Sequence, residues 1–476
     1  MMALRGFRQG SRSMPTLKEL EPELWSQLEF GDCKLGDVRR TRRLVKYACQ
    51  MAEKPDASTP RQTETWADCK AVYELFACPK ATFAAITAPH YNRTLTLQPG
   101  TYLVISDTTE VDYGYKCKRK GLGPLTAKHR RGFLLHSALV VDPATRQVIG
   151  LGAQELWARK EGKKKRVHRV ACRKRPTEAE VWGRIIDRVQ STVAGVRFIH
   201  LCDRGADNFD VFAHLFQKGD SWVIRAAQLT RKVRTSEGTI IKLGELMNTA
   251  PVMGTYKLYV SANTNQTARW AQVEVRAASV TLVRPREGST AFVLDNEIHE
   301  VPTNVVQVQE LDAPKNTTPL RWVLYTAESV SSFTACLRAV EHYEQRPIVE
   351  EFHQGLKTGL QIEERQYETA ESLMPLIGLI SVQAVRLLQL RSVARDAPET
   401  PARKLVPSEW LEVLGQVLRN PRPLKTVRDF MRALASLGGF LCRKSDGEPG
   451  WKTIWRGLDT LLVALRGYRA AIKRFG

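Results

Sequence analysis

The chain has 476 residues, of which 43% are hydrophobic and 26% charged. This length and composition predict a globular protein of about two to four domains and exclude a single ordinary domain. The net charge of +22 and the pI near 9.7 predict a surface that attracts polyanions, with nucleic acid the first candidate and an anionic membrane the second.

Disulfide, zinc-binding and membrane-spanning classes are disfavoured. The nine cysteines are scattered and form no CxxC pair, which argues against a disulfide framework and a structural zinc site. The longest apolar run, 373–385, contains Pro375 and Gln383, is too short to span a bilayer and is predicted to be a buried helix. We therefore expect reduced thiols, a cytoplasmic location and no membrane partner.

Residues 16–90 show a helical pattern. Four arginines lie at the front of one predicted helix: Arg39, Arg40, Arg42 and Arg43. Positive charges there oppose the helix macrodipole, so helix stability does not explain them. Contact with DNA phosphates would explain them, and a solvated face is the alternative. The Arg-rich, acid-free residues 1–15 are predicted to be a disordered basic tail, unless translation starts at Met14.

A different pattern begins near residue 101. Three strands are predicted at 101–107, 132–142 and 147–158, followed by a helix at 177–193 and a strand at 196–203. Between the third strand and the helix, a run that starts at residue 159 and ends at 175 holds ten Lys or Arg against one Glu. This run is predicted to be either a mobile loop or a contact with the DNA backbone.

From about 222 to 326 the residues alternate with a period of two, which predicts a β-rich insertion. Helices then resume and continue to the end of the chain, interrupted by a linker rich in proline and charge. The last predicted helix has an apolar side that is either core or partner interface: Trp451, Trp455, Leu458, Leu462 and Leu465. The chain thus divides as follows: a helical N-terminal domain 1–90, an α/β core 91–221, the β-rich insertion 222–326, a second part of the core 327–393 and a helical C-terminal domain 394–476.

Three acidic residues carry the predicted chemistry. Asp107 and Asp203 each end an apolar strand, and functional groups of α/β sheets gather beyond the carboxyl ends of strands. Each could instead be a turn residue. With Glu350 from a helix as third ligand, they would form an all-oxygen site that suits Mg²⁺ or Mn²⁺. Two ions about 3.5–4 Å apart can activate an attacking hydroxyl and stabilise the leaving oxygen of a phosphodiester.

The segment 343–359 mixes acids with basic and aromatic residues and has almost no apolar face. On a helix, Glu350 and Lys357 would lie about 20° apart around the axis, on the same side as His353. Such a stripe either is solvated or holds a metal ion and grips a phosphate. His353 is predicted to be a helix-surface residue or a neighbour that supports a ligand, and His136 a packed strand histidine.

Several motifs, taken in order, resemble the Asp-Asp-Glu transposases of the bacterial insertion-sequence four family. They are DTT at 107–109, CDRGAD at 202–207, and Y-x2-R-x3-E-x6-K at Tyr343, Arg346, Glu350 and Lys357. The last is the YREK signature of the branch typified by the transposase of the composite kanamycin-resistance transposon. Segments 35–44, 318–322 and 436–441 are also similar to that branch, so the resemblance covers nearly the whole chain.

The resemblance implies a retroviral integrase-like, RNase H-like catalytic core interrupted by the β-rich insertion and flanked by helical domains. It implies that Asp107, Asp203 and Glu350 bind two Mg²⁺ ions, with Mn²⁺ able to substitute. Phosphate contacts near the scissile bond would come from Tyr343, Arg346 and Lys357. The aromatic face of Trp322 would stack on a base flipped out during hairpin formation.

Two positions depart from the family pattern. Gly205 stands where the second motif usually has a glutamate, and Pro347 where an aromatic is common. Because proline suits only the first turn of a helix, Pro347 predicts that a helix begins there and that Tyr343 belongs to the preceding helix.

The resemblance implies a cut-and-paste DNA transposase of the bacterial cytoplasm, associated with the nucleoid. It would bind the inverted ends of its element, partly through the N-terminal helices, and dimerise in a synaptic complex through the C-terminal region. Nicking, hairpin formation, hairpin hydrolysis and joining to target DNA would follow at one metal site. Two alternatives are an RNase H-like nuclease without strand transfer and a catalytically silent DNA-binding regulator.

Overall fold

A computed structural model describes residues 18–55, 57–115, 117–160, 178–260, 268–286, 289–314, 317–396, 398–418, 423–443 and 446–475. The predicted basic tail at 1–15 and most of the basic run at 159–175 lie outside these residues. The described part is mixed α/β, with helices at both ends and a central twelve-stranded sheet. The predicted α/β class with helical flanks is therefore confirmed.

Five helices form the N-terminal region: α1 (Pro22–Phe30), α2 (Val38–Glu53), α3 (Thr59–Gln62), α4 (Trp66–Ala77) and α5 (Phe83–Leu95). Side chains of Asp37, Thr65 and Thr82 accept backbone N–H groups at the starts of α2, α4 and α5, which satisfies donors that have no partner within the helix. Helix α2 buries Leu44 and Ala48, while Val45 is half-buried.

The first half of the sheet contains the predicted order of three strands, a helix and a strand, with a short extra strand between the first two. Its elements are β1 (Gly100–Tyr115), β2 (Gly123–Pro124), β3 (Arg130–Val141), β4 (Val148–Trp157), α6 (Glu180–Arg188), β5 (Val196–Cys202), α7 (Phe209–Lys218) and β6 (Ser221–Arg225). Strand β1 pairs antiparallel with β3 and parallel with β5, and β5 pairs parallel with β6. One face of β1 buries Leu103 and Ile105 in the larger core, while Val104 on the other face packs in a second core with residues of α6 and α7.

The register of β1 corrects the predicted position of Asp107. The strand does not end at Asp107 but continues to Tyr115, because β3 pairs with it from Leu103 to the end of the strand. What ends next to Asp107 is the parallel pairing with β5, whose last pair is Ser106 with Cys202. Asp107 therefore lies in the middle of β1, but beside the carboxyl end of β5, where the chain leaves the sheet.

The rest of the sheet is built by the predicted insertion. Its elements are β7 (Lys232–Thr235), β8 (Ile240–Lys242), α8 (Leu243–Thr249), β9 (Val252–Val260), β10 (Arg269–Val283), α9 (Ala291–Asp295), β11 (Glu300–Leu311) and β12 (Arg321–Thr326). Strand β12 pairs with β6, so the strands of the insertion extend the sheet of the core without a break. The predicted limit between 221 and 222 falls inside β6, which belongs to the core sheet because it pairs with β5.

Helices complete the chain: α10 (Phe333–Tyr343), α11 (Pro347–Gln354), α12 (Ala370–Asp396), α13 (Ala402–Leu405), α14 (Ser408–Leu418), α15 (Val427–Leu437) and α16 (Trp451–Phe475). Helix α11 begins at Pro347 and Tyr343 ends α10, as the proline predicts. The predicted limits 90/91 and 393/394 fall inside α5 and α12, whereas 326/327 coincides with the end of β12.

The apolar run 373–385 lies in α12 and is buried, which confirms the buried-helix prediction. The helix is longer than the run: Ala370–Leu390 is long and apolar enough to cross a membrane by length and composition, but 94% of that window is buried inside the protein. The eight cysteines in the described part of the chain are all free.

Candidate active site

Asp107 and Asp203 are each held by a backbone N–H group. The Oδ1 atom of Asp107 accepts a hydrogen bond from the Thr108 N–H at 2.7 Å. Asp203 follows β5 directly, and its Oδ1 accepts the Gly205 N–H at 2.8 Å, which caps the 3-10 turn Arg204–Ala206. In both residues one carboxylate oxygen is fixed by the main chain, so Oδ2 is the oxygen left for other partners.

The guanidinium of Arg346 joins the three predicted acids. Its Nη2 atom lies 2.7 Å from Asp107 Oδ2 and 3.6 Å from Asp203 Oδ2, and Nη1 is paired with Glu350 Oε1 one turn along the chain. Two oxygens that share one nitrogen as neighbour can be no farther apart than the sum of these distances. The fold thus brings together three carboxylates from β1, the end of β5 and α11.

Exposure increases across the cluster from one acid to the next. The side chain of Asp107 is 17% exposed, that of Asp203 34% and that of Glu350 58%, while Arg346 is 15% exposed. Burial raises the pKa of Asp107 to about 6; Asp203 and Glu350 act in the same direction, and Arg346 opposes them. Burial lowers the pKa of Arg346, but Asp107, Glu350 and Asp203 outweigh it and raise that pKa above its ordinary value.

The donor set of the cluster fits a divalent cation. Three carboxylates converge on a single positive group, and carboxylate oxygens are the ligands that Mg²⁺ and Mn²⁺ prefer. Across the described residues, no three His, Cys, Asp or Glu side chains stand close enough together to hold a metal ion as they are. The guanidinium, itself a cation, occupies the place between the acids.

The other predicted phosphate-contact residues are dispersed. Tyr343 is buried, its pKa is raised by burial, and its ring meets Trp322 edge-on with centroids 6.0 Å apart. Lys357 lies beyond the end of α11, in a π-helical turn at Gly355–Gly359, and its Nζ is 3.6 Å from Glu363 Oε1. The predicted stripe of Glu350, His353 and Lys357 on one α-helical side is therefore wrong, because the helix changes its winding after Gln354.

The two histidines singled out in the sequence, His136 and His353, are both buried near the cluster. The Nδ1 atom of His136 is 2.7 Å from Thr108 Oγ1, and its ring packs edge-on against Trp182, so the packed-strand prediction is confirmed. His353 is only 8% exposed, which contradicts a surface position. Burial lowers the pKa of each to about 3, so both rings are neutral at pH 7. The Nε2 atoms of both are buried without a hydrogen-bond partner among the described residues.

The four arginines of α2 lie on its first two turns. Arg39, Arg42 and Arg43 are exposed, and the Arg39 side chain is 86% exposed. Arg40 differs, because its Nη1 donates to the Leu35 carbonyl oxygen at 3.0 Å. Three exposed guanidinium groups next to one helix start form a positive surface that can contact phosphates.

The sequence did not indicate that Arg346 would contact all three acids. Its spacing of four residues from Glu350 is a signal for a pair on one helix face. The contacts with Asp107 and Asp203, however, depend on how α11 packs on the sheet. Asp207, four residues after Asp203, accepts hydrogen bonds from the Ala227 and Gln228 N–H groups and pairs with Arg231 at 2.5 Å.

Two segments of the chain match models of known protein families. Residues 22–81 match a transposase DNA-binding family, and residues 382–474 match the Tn5 transposase dimerisation domain. The first region contains α1 to α4 with the exposed arginines, and the second contains the C-terminal helices. Together the matches support a DNA transposase. More narrowly, they support one of the Tn5 type that binds DNA and forms dimers.

Among solved structures, the piggyBac transposase synaptic complex with hairpin DNA is similar over 94% of this chain and 82% of that chain. The sequence identity is 10% and the TM-score 0.39. A likeness of this degree supports no conclusion about the site or its chemistry.

Proposed function

We propose that the chain is a cut-and-paste DNA transposase of the YREK branch, whose single active site is formed by Asp107, Asp203 and Glu350. The convergence of these three carboxylates on one guanidinium is the observation that carries the proposal. They are far apart in sequence, come from three parts of the fold, and each directs one carboxylate oxygen at the same guanidinium.

The core is proposed to be RNase H-like. Three antiparallel strands, β4, β3 and β1, continue into the parallel strands β5 and β6, with helices packed on both faces. In this arrangement β1 and the end of β5 supply two acids at one edge of the sheet. Helix α11 approaches the same edge, because Val349 and Phe352 pack in the core that holds Leu103 and Ile105.

The three acids would hold two Mg²⁺ ions, with Mn²⁺ able to substitute. When bound, such ions activate a water or a 3′-hydroxyl and stabilise the leaving oxygen in each phosphoryl transfer. The Thr108 and Gly205 N–H groups fix the orientation of both aspartates, so their Oδ2 atoms stay directed at the site. The more exposed Glu350 lies at the outer edge, where a DNA strand can enter.

Contacts with DNA are proposed at three places. The exposed arginines of α2 would hold the backbone of the element end, where each phosphate contact releases counterions. Arg346 and Lys357 lie on either side of Glu350 along the chain and would contact phosphates near the scissile bond. Trp322 would stack on a flipped base, which requires its partly buried ring to leave Tyr343.

The assembly is proposed to be a homodimer in the bacterial cytoplasm, associated with the nucleoid, that holds both inverted ends of the element. A match of the C-terminal region to a dimerisation domain supports the dimer. In that complex each end would be nicked, converted to a hairpin, reopened and joined to target DNA.

Removing one acid at a time tests the site. We expect Asp107→Asn, Asp203→Asn and Glu350→Gln each to lower nicking by a factor of at least about 10³, because each removes a carboxylate needed for the ions. The substrate is a plasmid that carries the gene of this chain with its flanking DNA. Retention of DNA by each variant in a gel-shift assay checks that the protein is folded.

Glu341→Gln is the matched control, because Glu341 is an exposed acid on α10 outside the cluster. Hairpin ends and joined products distinguish the proposed transposase from a nuclease that only cuts. Wild-type nicking by any of the three site variants would overturn the proposed site.

A further inference from the structure

Arg346 lies between the three carboxylates of the proposed metal site. Its guanidinium is within ion-pair distance of Asp107, Asp203 and Glu350 at once. No other Lys or Arg of the described chain contacts any of these three carboxylates within the same distance. Because like charges so close together repel, the guanidinium neutralises part of the cluster when no other cation is there.

Arg346 is held by these charges and not by a wider hydrogen-bond network. Its Nη groups pair with the acids, while its Nε is buried and has no hydrogen-bond partner in the described part of the chain. The buried Arg365 also has an Nε without a partner among the described residues, but its Nη groups donate to three backbone carbonyl groups, of Pro55, Ala57 and Leu360. Moving the guanidinium of Arg365 would break these three bonds to the backbone. Arg346, whose Nη groups pair with carboxylates, can exchange them for another anion.

The place of Arg346 in the chain suits such an exchange. It immediately precedes Pro347 at the start of α11, so its backbone belongs to the junction of two helices. Its partner Glu350 is 58% exposed, which leaves the outer side of the cluster open to an approaching strand. A guanidinium binds a phosphate with two parallel hydrogen bonds, as it binds a carboxylate.

We infer that Arg346 acts as a DNA-responsive stand-in cation, which occupies the carboxylate cluster in the free protein and leaves it for a phosphate when DNA binds. This inference rests on the proposed metal site. In free protein the guanidinium competes with divalent ions for the same oxygens. A DNA phosphate draws it out and opens the cluster, so the nuclease centre is loaded only on DNA.

Competition of this kind links the affinity for the divalent ion to the affinity for DNA. If DNA raises the affinity for the ion by some factor, the ion must raise the affinity for DNA by the same factor. Removal of the guanidinium should therefore strengthen ion binding in the absence of DNA and weaken the coupling. An arginine that only contacts phosphate would affect DNA binding and leave ion binding by the free protein unchanged.

Direct Mn²⁺ binding to the full chain without DNA, followed by electron paramagnetic resonance of the free ion, tests the competition. We expect Arg346→Ala and Arg346→Gln to bind Mn²⁺ about tenfold or more tightly than wild type. Arg338→Ala, which removes an exposed charge on α10, should bind as wild type does. The added affinity should be lost in the double variant Arg346→Ala, Asp107→Asn, because the ion then lacks a ligand.

A second measurement follows the coupling. The affinity for a mixed-sequence DNA duplex is measured by fluorescence anisotropy. The wild-type protein should bind this DNA more tightly in Ca²⁺ than in a monovalent buffer of equal ionic strength. The gain should be smaller in Arg346→Ala and unchanged in Arg338→Ala. Circular dichroism melting curves of each variant show that it is folded.

The role of Arg346 would be overturned if the wild type and both Arg346 variants bound Mn²⁺ equally tightly and Ca²⁺ raised their affinity for DNA equally. The proposed function would still stand if Asp107→Asn then failed to nick DNA. If Asp107→Asn nicks as wild type does, the metal site itself is wrong and the stand-in role is overturned with it.

Discussion

Burial fixes the protonation of the histidines near Asp107. His136 is fully buried, and this burial lowers its pKa to about 3. Its ordinary value in an unfolded chain is 6.5. Between these pH values the unfolded chain binds a proton that the folded protein does not, so stability is lost as the pH falls from about 6.5.

This difference gives a pH prediction for one residue. His136→Asn can keep the hydrogen bond to Thr108, because the asparagine amide occupies the place of Nδ1. We expect the variant to lose up to about 1.4 kcal/mol per pH unit from the slope of unfolding free energy between pH 6 and pH 4. Urea unfolding at a series of pH values measures the slope.

The exposed His299 provides the control, and His299→Asn should leave the slope as in wild type. An unchanged slope in His136→Asn would mean that the ring is protonated in the folded protein.

At the residue scale, the sequence could predict which acids matter but not how they are held. Asp107, Asp203 and Glu350 were predicted from strand ends, spacing and family resemblance, and the fold brings them together. The three contacts of Arg346 could not be predicted, because two of them cross between elements separated by more than a hundred residues. The burial of His353 was missed, because α11 turns that side chain toward the core and not along the exposed Glu350.

At the element scale, glycines set how closely the last two long helices pack. A Cβ at Gly457 of α16 would overlap the Leu434 carbonyl oxygen of α15, and one at Gly438 would overlap the Thr453 carbonyl oxygen. The segment 436–441, part of the family resemblance, thus includes a contact point of two backbones. Only glycine permits this distance.

Gly457→Ala should therefore separate α15 and α16 and lower the unfolding free energy by about 1–3 kcal/mol. Gly467→Ala, in the same helix, meets nothing within 4 Å and should raise stability by about 0.5–1 kcal/mol through helix propensity. Thermal unfolding of both variants measures the difference. A Gly457→Ala protein as stable as Gly467→Ala would show that the two helices do not pack this closely.

Element types were easier to predict than their limits. Period-two alternation predicted the strands of the insertion, and Pro347 predicted the start of α11, since both signals are local. The length of β1 was not predictable in the same way. Its second half, from Asp107 to Tyr115, is polar in places and is a strand only because β3 pairs along all of it.

At the scale of the whole molecule, α12 joins the parts that the sequence suggested were separate. Arg386, fully buried, donates to the carbonyl oxygen of Leu20 at 2.8 Å and to that of Ala52 at 3.3 Å. Three residues on, Gln389 donates to the carbonyl oxygens of Val148 and Ile149 on β4. The N-terminal helices, the sheet and the C-terminal helices therefore share one core, which no local pattern could reveal.

The charge of the whole molecule fits this arrangement. A net charge of +22 favours any polyanion, but only the acid cluster separates an enzyme from a simple DNA binder. Exposed arginines on α2 and the three acids at the sheet edge belong to different parts of one framework. In the proposed transposase, DNA held by the first would be presented to the second.

A change of ligand chemistry at Asp203 tests most directly whether the three acids share metal ions. Asp203→Cys offers a softer sulfur ligand, which Mg²⁺ avoids and Mn²⁺ accepts more readily. With the plasmid that carries the gene and its flanking DNA, Asp203→Cys should fail to nick in Mg²⁺ and regain nicking in Mn²⁺. Asp203→Asn should fail in both, and wild type should nick in both. Wild-type rates for Asp203→Cys or Asp203→Asn in Mg²⁺ would contradict a metal site at this position.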